Sequence, residues 1–137
     1  MNLGNSFVML AARLILGVIL IAHGWQKFNE WTIAGTTESF ESMGVPAASV
    51  AAPAAAIIEL VGGILLILGL RTKIVAALVA IGMLGAFAIA HAPNGIFVSE
   101  GGWELVGIIF AAALMLIAAG PGMHSVDQFT TKSRQSR

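Results

Sequence analysis

The sequence predicts an all-α polytopic membrane protein: a bundle of four transmembrane helices with both termini in the cytoplasm. Three observations carry that reading. Of 137 residues, 58% are hydrophobic and only 10% are charged, against roughly 45–50% and about 25% in ordinary soluble domains. The mean hydropathy is +0.91, and so few charges cannot coat a soluble domain. The apolar residues gather in four stretches, each near the roughly 17–25 residues that a helix needs to cross about 30 Å of hydrocarbon. They run without period-2 alternation, so the backbone must satisfy itself as helix rather than as barrel strand.

The first span covers about residues 7–23. No Lys or Arg precedes it, and it ends in His23-Gly24-Trp25-Gln26-Lys27 rather than a small-residue cleavage site, so it is expected to stay as a helix and not to act as a cleaved signal peptide. A long outer loop over residues 28–52 follows. Within it, residues 33–50 carry Glu38, Phe40, Met43 and Val45, enough for a short helix at the interface ended by Gly44 and Pro46. The second span covers about 53–70; Pro53 fits either its first turn or a kink within a longer helix. The third covers about 74–92 and the fourth about 103–119, closed by Pro121 and Gly122. Residues 1–128 form a single domain on this reading, and 129–137 a polar tail expected to be disordered.

Charge placement sets orientation. Arg71 and Lys73 occupy the tight turn between the second and third spans, and Lys132, Arg134 and Arg137 follow the fourth, whereas Lys27 stands alone on the opposite side. The positive-inside rule places the cation-rich side in the cytoplasm of a multi-pass protein of the cell inner (cytoplasmic) membrane. Trp25, Trp31 and Trp103 then fall near the outer interface as an aromatic belt.

Seven basic residues balance seven acidic ones, so the electrostatic footprint of a nucleic-acid partner is missing. Zero cysteines exclude disulfides, thiol redox centres, thiolate-held clusters and covalent haem attachment. No metal ligand set is legible. Membrane lipids and other membrane subunits are the expected partners, and no intrinsic cofactor is expected; a redox role would use a non-covalently held group, such as a quinone, or a partner.

A charge within hydrocarbon costs at least about 2.5–3.5 kcal/mol, so the polar residues of the spans are the candidate sites. On the first helix, Arg13, Gly17, Leu20, Gly24 and Lys27 share one stripe at spacings of four and three. On the second, Glu59, Gly62, Gly63, Leu66 and Gly69 form a similar face. Gly17, Gly24, Gly62, Gly63 and Gly69 permit close helix packing, and an Arg13–Glu59 ion pair is expected between the two helices. His23, Lys27, His91 and Glu104 lie at the outer ends of three helices; converging, they would form a polar pocket able to hydrogen-bond and protonate a quinone. Structural roles compete at each position: a pair that fixes helix order, a Lys snorkelling to headgroups, interfacial histidines, a Glu at a helix start.

Arg13-x3-Gly17-x2-Leu20-x3-Gly24-x2-Lys27 and Glu59-x2-Gly62-Gly63-x-Leu65-Leu66-x2-Gly69-Leu70 resemble the first- and second-helix signatures of the DoxX family. Gly101-Gly102-Trp103-Glu104 and Gly120-Pro121-Gly122-x2-Ser125-x-Asp127 are similar to its C-terminal pattern; Leu20 departs from the family, which often has an aromatic there. The resemblance implies a small four-helix membrane protein in which Arg13, Lys27, Glu59 and Glu104 occupy recurring polar positions. Members of that family include subunits of a terminal quinol oxidase system, of a thiosulfate–quinone oxidoreductase and of a membrane oxidoreductase complex. It therefore implies an accessory subunit of a respiratory or oxidoreductase complex, with a stand-alone quinone- or lipophile-binding oxidoreductase as the alternative.

Overall fold

A computed structural model describes residues 3–129. Among them are five α-helices and short 3₁₀ and π turns, with no strand: α1 (Leu3–Asn29), α2 (Thr32–Ser42), α3 (Ala48–Leu68), α4 (Thr72–Ala86) and α5 (Glu104–Ala119). α1, α3 and α4 with its π and 3₁₀ extension to Asn94 are long and apolar enough to cross a membrane. α5 is apolar but has 16 residues, or about 24 Å, so a partner helix, bilayer thinning or flanking residues must cover the shortfall.

The helices outrun the hydropathy that located them. α1 extends from Leu3 to Asn29 rather than over 7–23, because a helix ends where its backbone bonds end. Here that happens where Glu30 and Trp31 both donate to the Gln26 carbonyl. α3 begins at Ala48, not at residue 53, so Pro53 lies inside the helix. The helix tolerates it because the carbonyl that loses a donor, Ser49, is still in the first, exposed turn. The expected interfacial helix is α2, and it ends before Gly44, whose φ of 78° lies where glycine alone is unstrained. α4 passes into a π turn at Phe87–His91 and a 3₁₀ turn at Ala92–Asn94 that contains Pro93; the Ala90 carbonyl there receives the Asn94 side-chain amide at 3.1 Å. All of the tail expected from residue 129 onward, apart from Phe129, lies outside the described residues.

α1 packs along α3 and α4 along α5, while α3 joins the two pairs through α4; α1 and α5 barely touch. The α1–α3 crossing is set by glycine. A Cβ at Gly17 would meet Ile67 at 2.6 Å and the Gly63 carbonyl at 2.7 Å, and one at Gly24 would meet the Leu60 backbone at 2.5 Å. Neither helix accepts a side chain there, and the backbones approach as small-residue membrane interfaces do. Gly62 faces Val75 of α4 instead, with a Cβ-to-side-chain distance of 3.2 Å.

The apolar core runs between the two pairs, from Leu16 and Leu20 through Leu66, Val79 and Ile109 to Leu116. The outside is equally apolar: Ile15, Ile81 and Ile108 are 64%, 68% and 68% exposed. Faces of this kind exceed what a soluble monomer presents to water and suit acyl chains. Trp25 and Trp31 are exposed as a belt requires, but Trp103 turns inward, edge-on to Phe87 with ring centroids 5.9 Å apart and against Gly107.

Candidate functional site

The polar side chains of the bundle form two buried clusters, one at each end of the α1–α3 contact. At the end holding the start of α1 and the segment after α5, Arg13 is 1% exposed. Its Nε donates to the Leu66 carbonyl at 3.0 Å, and Nη2 to those of Ile67 at 3.3 Å and His124 at 2.8 Å. Nη1 donates to the carbonyl of Pro121. A guanidinium is suited to this: it carries five donors in a fixed fork. Two of its acceptors are last-turn carbonyls of α3, where the helical bonds run out and Leu66 is met only by the Gly69 cap N–H at 3.1 Å, and the others belong to the segment after α5. Arg13 therefore ties α1 to α3 and to the C-terminal segment at once.

The neighbouring bonds complete that tie. Gly120 and Gly122, with φ of 76° and 81°, turn the chain back across the bundle end. Ser125 Oγ donates to the Gly122 carbonyl at 2.7 Å, and Asp127 N–H donates to the Gly69 carbonyl at 3.0 Å. The Asp127 carboxylate then accepts the Arg71 and Thr72 backbone N–H groups at 2.8 and 2.9 Å, capping α4. Gly69 has to be glycine twice over: its φ is 68°, and a Cβ would lie 2.8 Å from the Arg13 guanidinium. At the same end Ser6 Oγ accepts from Met123 N–H, and the Phe7 and His124 rings lie 4.7 Å apart.

The second cluster lies toward the opposite end. Lys27 Nζ donates to Glu59 Oε2 at 2.6 Å, with both side chains 10% exposed. α2 covers the pair. Thr36, 1% exposed, donates from Oγ1 to the Thr32 carbonyl at 2.8 Å and reaches the Lys27 carbonyl at 3.4 Å. The Trp31 ring centroid is 5.9 Å from Nζ, close enough for a cation–π contact. Among the described residues Glu59 Oε2 takes the one hydrogen bond to this carboxylate, and Oε1 takes none.

The expected Arg13–Glu59 pair is therefore not formed. Glu59 is joined to Lys27, and Arg13 is held by four main-chain carbonyls. Axial offset explains it: the Gly17–Gly63 and Gly24–Leu60 crossings set Arg13 beside the α3 C-terminus, about two turns below Glu59. The expected outer pocket divides as well. His23 Nδ1 donates to the Ile19 carbonyl of its own helix at 2.9 Å. His91 Nδ1 donates to the Gly101 carbonyl at 2.7 Å, and Glu104 accepts the Val98 N–H at 2.7 Å. His91 and Glu104 thus brace the 95–104 loop, while Lys27 turns inward to Glu59. Asp127 and Thr36 are the structural residues that hydropathy and periodicity did not single out. Asp127 is polar in a polar segment and was visible only in the C-terminal motif; Thr36 gave no signal at all. Among the described residues no group of three or more His, Cys, Asp or Glu converges to hold a metal ion.

The chain as a whole is similar to known membrane proteins. The DoxX profile matches residues 8–92, from α1 through the π turn. An uncharacterised membrane protein of Mycobacterium tuberculosis is 32% identical over 139 residues, covering 90% of this chain and 82% of that protein. The Bacillus subtilis protein named "Putative oxidoreductase CatD" is 31% identical over 136 residues, 99% of this chain and 96% of its own length. The inner membrane protein YphA of Escherichia coli is 31% identical over 131 residues, 88% and 89% of the two chains. No solved structure matches. A profile match over most of the bundle, with relatives of this identity along nearly the whole length, shows that the chain belongs to the DoxX family of membrane proteins.

Proposed function

We propose that the protein is an accessory integral membrane subunit of an oxidoreductase complex, contributing structure and a membrane face rather than its own redox centre. The observation that carries this reading is what the buried cations do. Arg13 is spent on main-chain carbonyls and Lys27 on Glu59, so the polar groups of the spans hold helices together. The Bacillus subtilis relative's name as an oxidoreductase supplies the reaction class. Purification of the tagged full chain from native membranes in mild detergent tests it. Stoichiometric recovery of other oxidoreductase subunits is expected, and recovery of this chain alone overturns it.

The buried Lys27–Glu59 pair favours one second reading, a quinone carbonyl seated there by a protein that acts alone. Quinone reduction by the pure protein that Glu59→Gln weakens is its expected signature. Rates unchanged by that substitution remove the pair from the reaction.

A further inference from the structure

At the Arg13 end of the bundle a cavity of about 290 Å³ opens beside the α3–α4 turn, lined by Arg71, Lys73, Ile74, Pro121, Asp127 and Gln128. From its contents and position we infer that it binds the phosphate of an anionic phospholipid.

Charge is the first argument. Among the described residues neither the Arg71 nor the Lys73 side chain makes a hydrogen bond or ion pair, and both are exposed. The one acid in the lining, Asp127, has its two oxygens turned to the Arg71 and Thr72 N–H groups, and the Arg13 charge acts on it from behind. The lining therefore carries a net positive charge, two cations against one carboxylate whose oxygens are already taken by backbone N–H groups.

Position is the second argument, and it selects a lipid over a soluble anion. Ile74, on the cavity wall, is followed on the same helix face by Leu78 and Ile81, exposed at 57%, 44% and 68%. Spacings of four and three make one apolar stripe leading from the cations into the hydrocarbon. A phosphate held by Arg71 and Lys73 would lay its acyl chains along that stripe. Arg is suited to bidentate phosphate contact and Lys to a point-charge contact. Backbone geometry presets the first of them: Arg71 has a φ of 53°, a left-handed position held by the Asp127 cap, so its side chain leaves the turn from a fixed direction.

The full chain in nanodiscs of mixed phosphatidylglycerol and phosphatidylcholine supplies the test, read by native mass spectrometry of the lipid retained on the ejected protein. Wild type should retain phosphatidylglycerol in preference. Arg71→Gln and Lys73→Gln should each reduce that preference about fivefold, and the double variant about 25-fold, while Lys73→Arg keeps it. Millimolar inorganic phosphate should leave the retained lipid in place. Equal retention of both lipids by wild type overturns the proposal, as does undiminished preference in the double variant. Displacement of the lipid by phosphate would assign the cavity to a soluble anion and overturn it too. Lys73 makes no structural bond, so Lys73→Gln keeps the test valid if the double variant folds poorly.

Discussion

Removing Lys27 or Glu59 alone should destabilise the bundle severely, and removing both should not. At 2.6 Å and an effective dielectric constant of about 20, Coulomb's law gives an attraction of about 6 kcal/mol. Desolvating the two ions costs several kcal/mol each, so the intact pair is near break-even against an apolar filling of the same volume. The single variants differ in kind. Lys27→Met leaves a carboxylate among α1, α2 and α3 with no cation near it, and Glu59→Leu leaves the ammonium. Each should lower unfolding stability by about 3–5 kcal/mol. The double variant should lie within about 1 kcal/mol of wild type, a coupling of at least about 5 kcal/mol in a double-mutant cycle. Reversible unfolding in mixed micelles titrated with a denaturing detergent measures this, and fluorescence from Trp31 beside Nζ reports on the site itself. Additive single effects would refute the reasoning, as would single losses below about 1 kcal/mol, because both would mean that water or headgroups already solvate the charges.

Other substitutions separate packing from tethering. Gly63→Ala places a Cβ 2.6 Å from the Gly17 carbonyl and should cost about 1–3 kcal/mol by spreading α1 from α3. Gly82→Ala meets nothing within 4 Å and should stabilise by about 0.5–1 kcal/mol in the same unfolding assay. Arg13→Lys keeps the charge but cannot reach four carbonyls in a fork, so amide exchange in residues 120–127 should rise at least tenfold while the Lys27–Glu59 end stays protected. Asp127→Ala removes the cap on α4 and should cost about 0.5–2 kcal/mol in unfolding stability, with faster exchange at Arg71 and Thr72.

Hydropathy and periodicity made the class, the spans and the packing glycines legible, because in lipid the backbone has few alternatives and small residues mark where helices meet. The stripe Arg13–Gly17–Gly24–Lys27 does face α3 along its length. Partner choice was not legible. Spacing along one helix says which residues share a face, but not how far the facing helix is shifted, and the shift decides whether Glu59 meets Arg13 or Lys27. That offset follows from Gly17 against Gly63 and Gly24 against Leu60, a long-range fact absent from either helix alone. The outer pocket failed for a related reason. His91 and Glu104 are at helix ends, where unsatisfied backbone groups of the 95–104 loop compete for their side chains at short range and win.

The two clusters also account for the asymmetry of the bundle. α1 and α3 are joined by glycine contacts with a charge-assisted tie at each end, whereas α4 and α5 are joined by apolar packing. Dispersion against a neighbouring helix and against lipid tails differ little, so in a bilayer the α4–α5 pair has less to hold it to α1 than its own internal contact suggests. What secures it is the tight α3–α4 turn and the return of the chain after α5, where Arg13 grips Pro121 and His124 and Asp127 caps α4. Arg13 is thus the joint between the two halves rather than a reacting group.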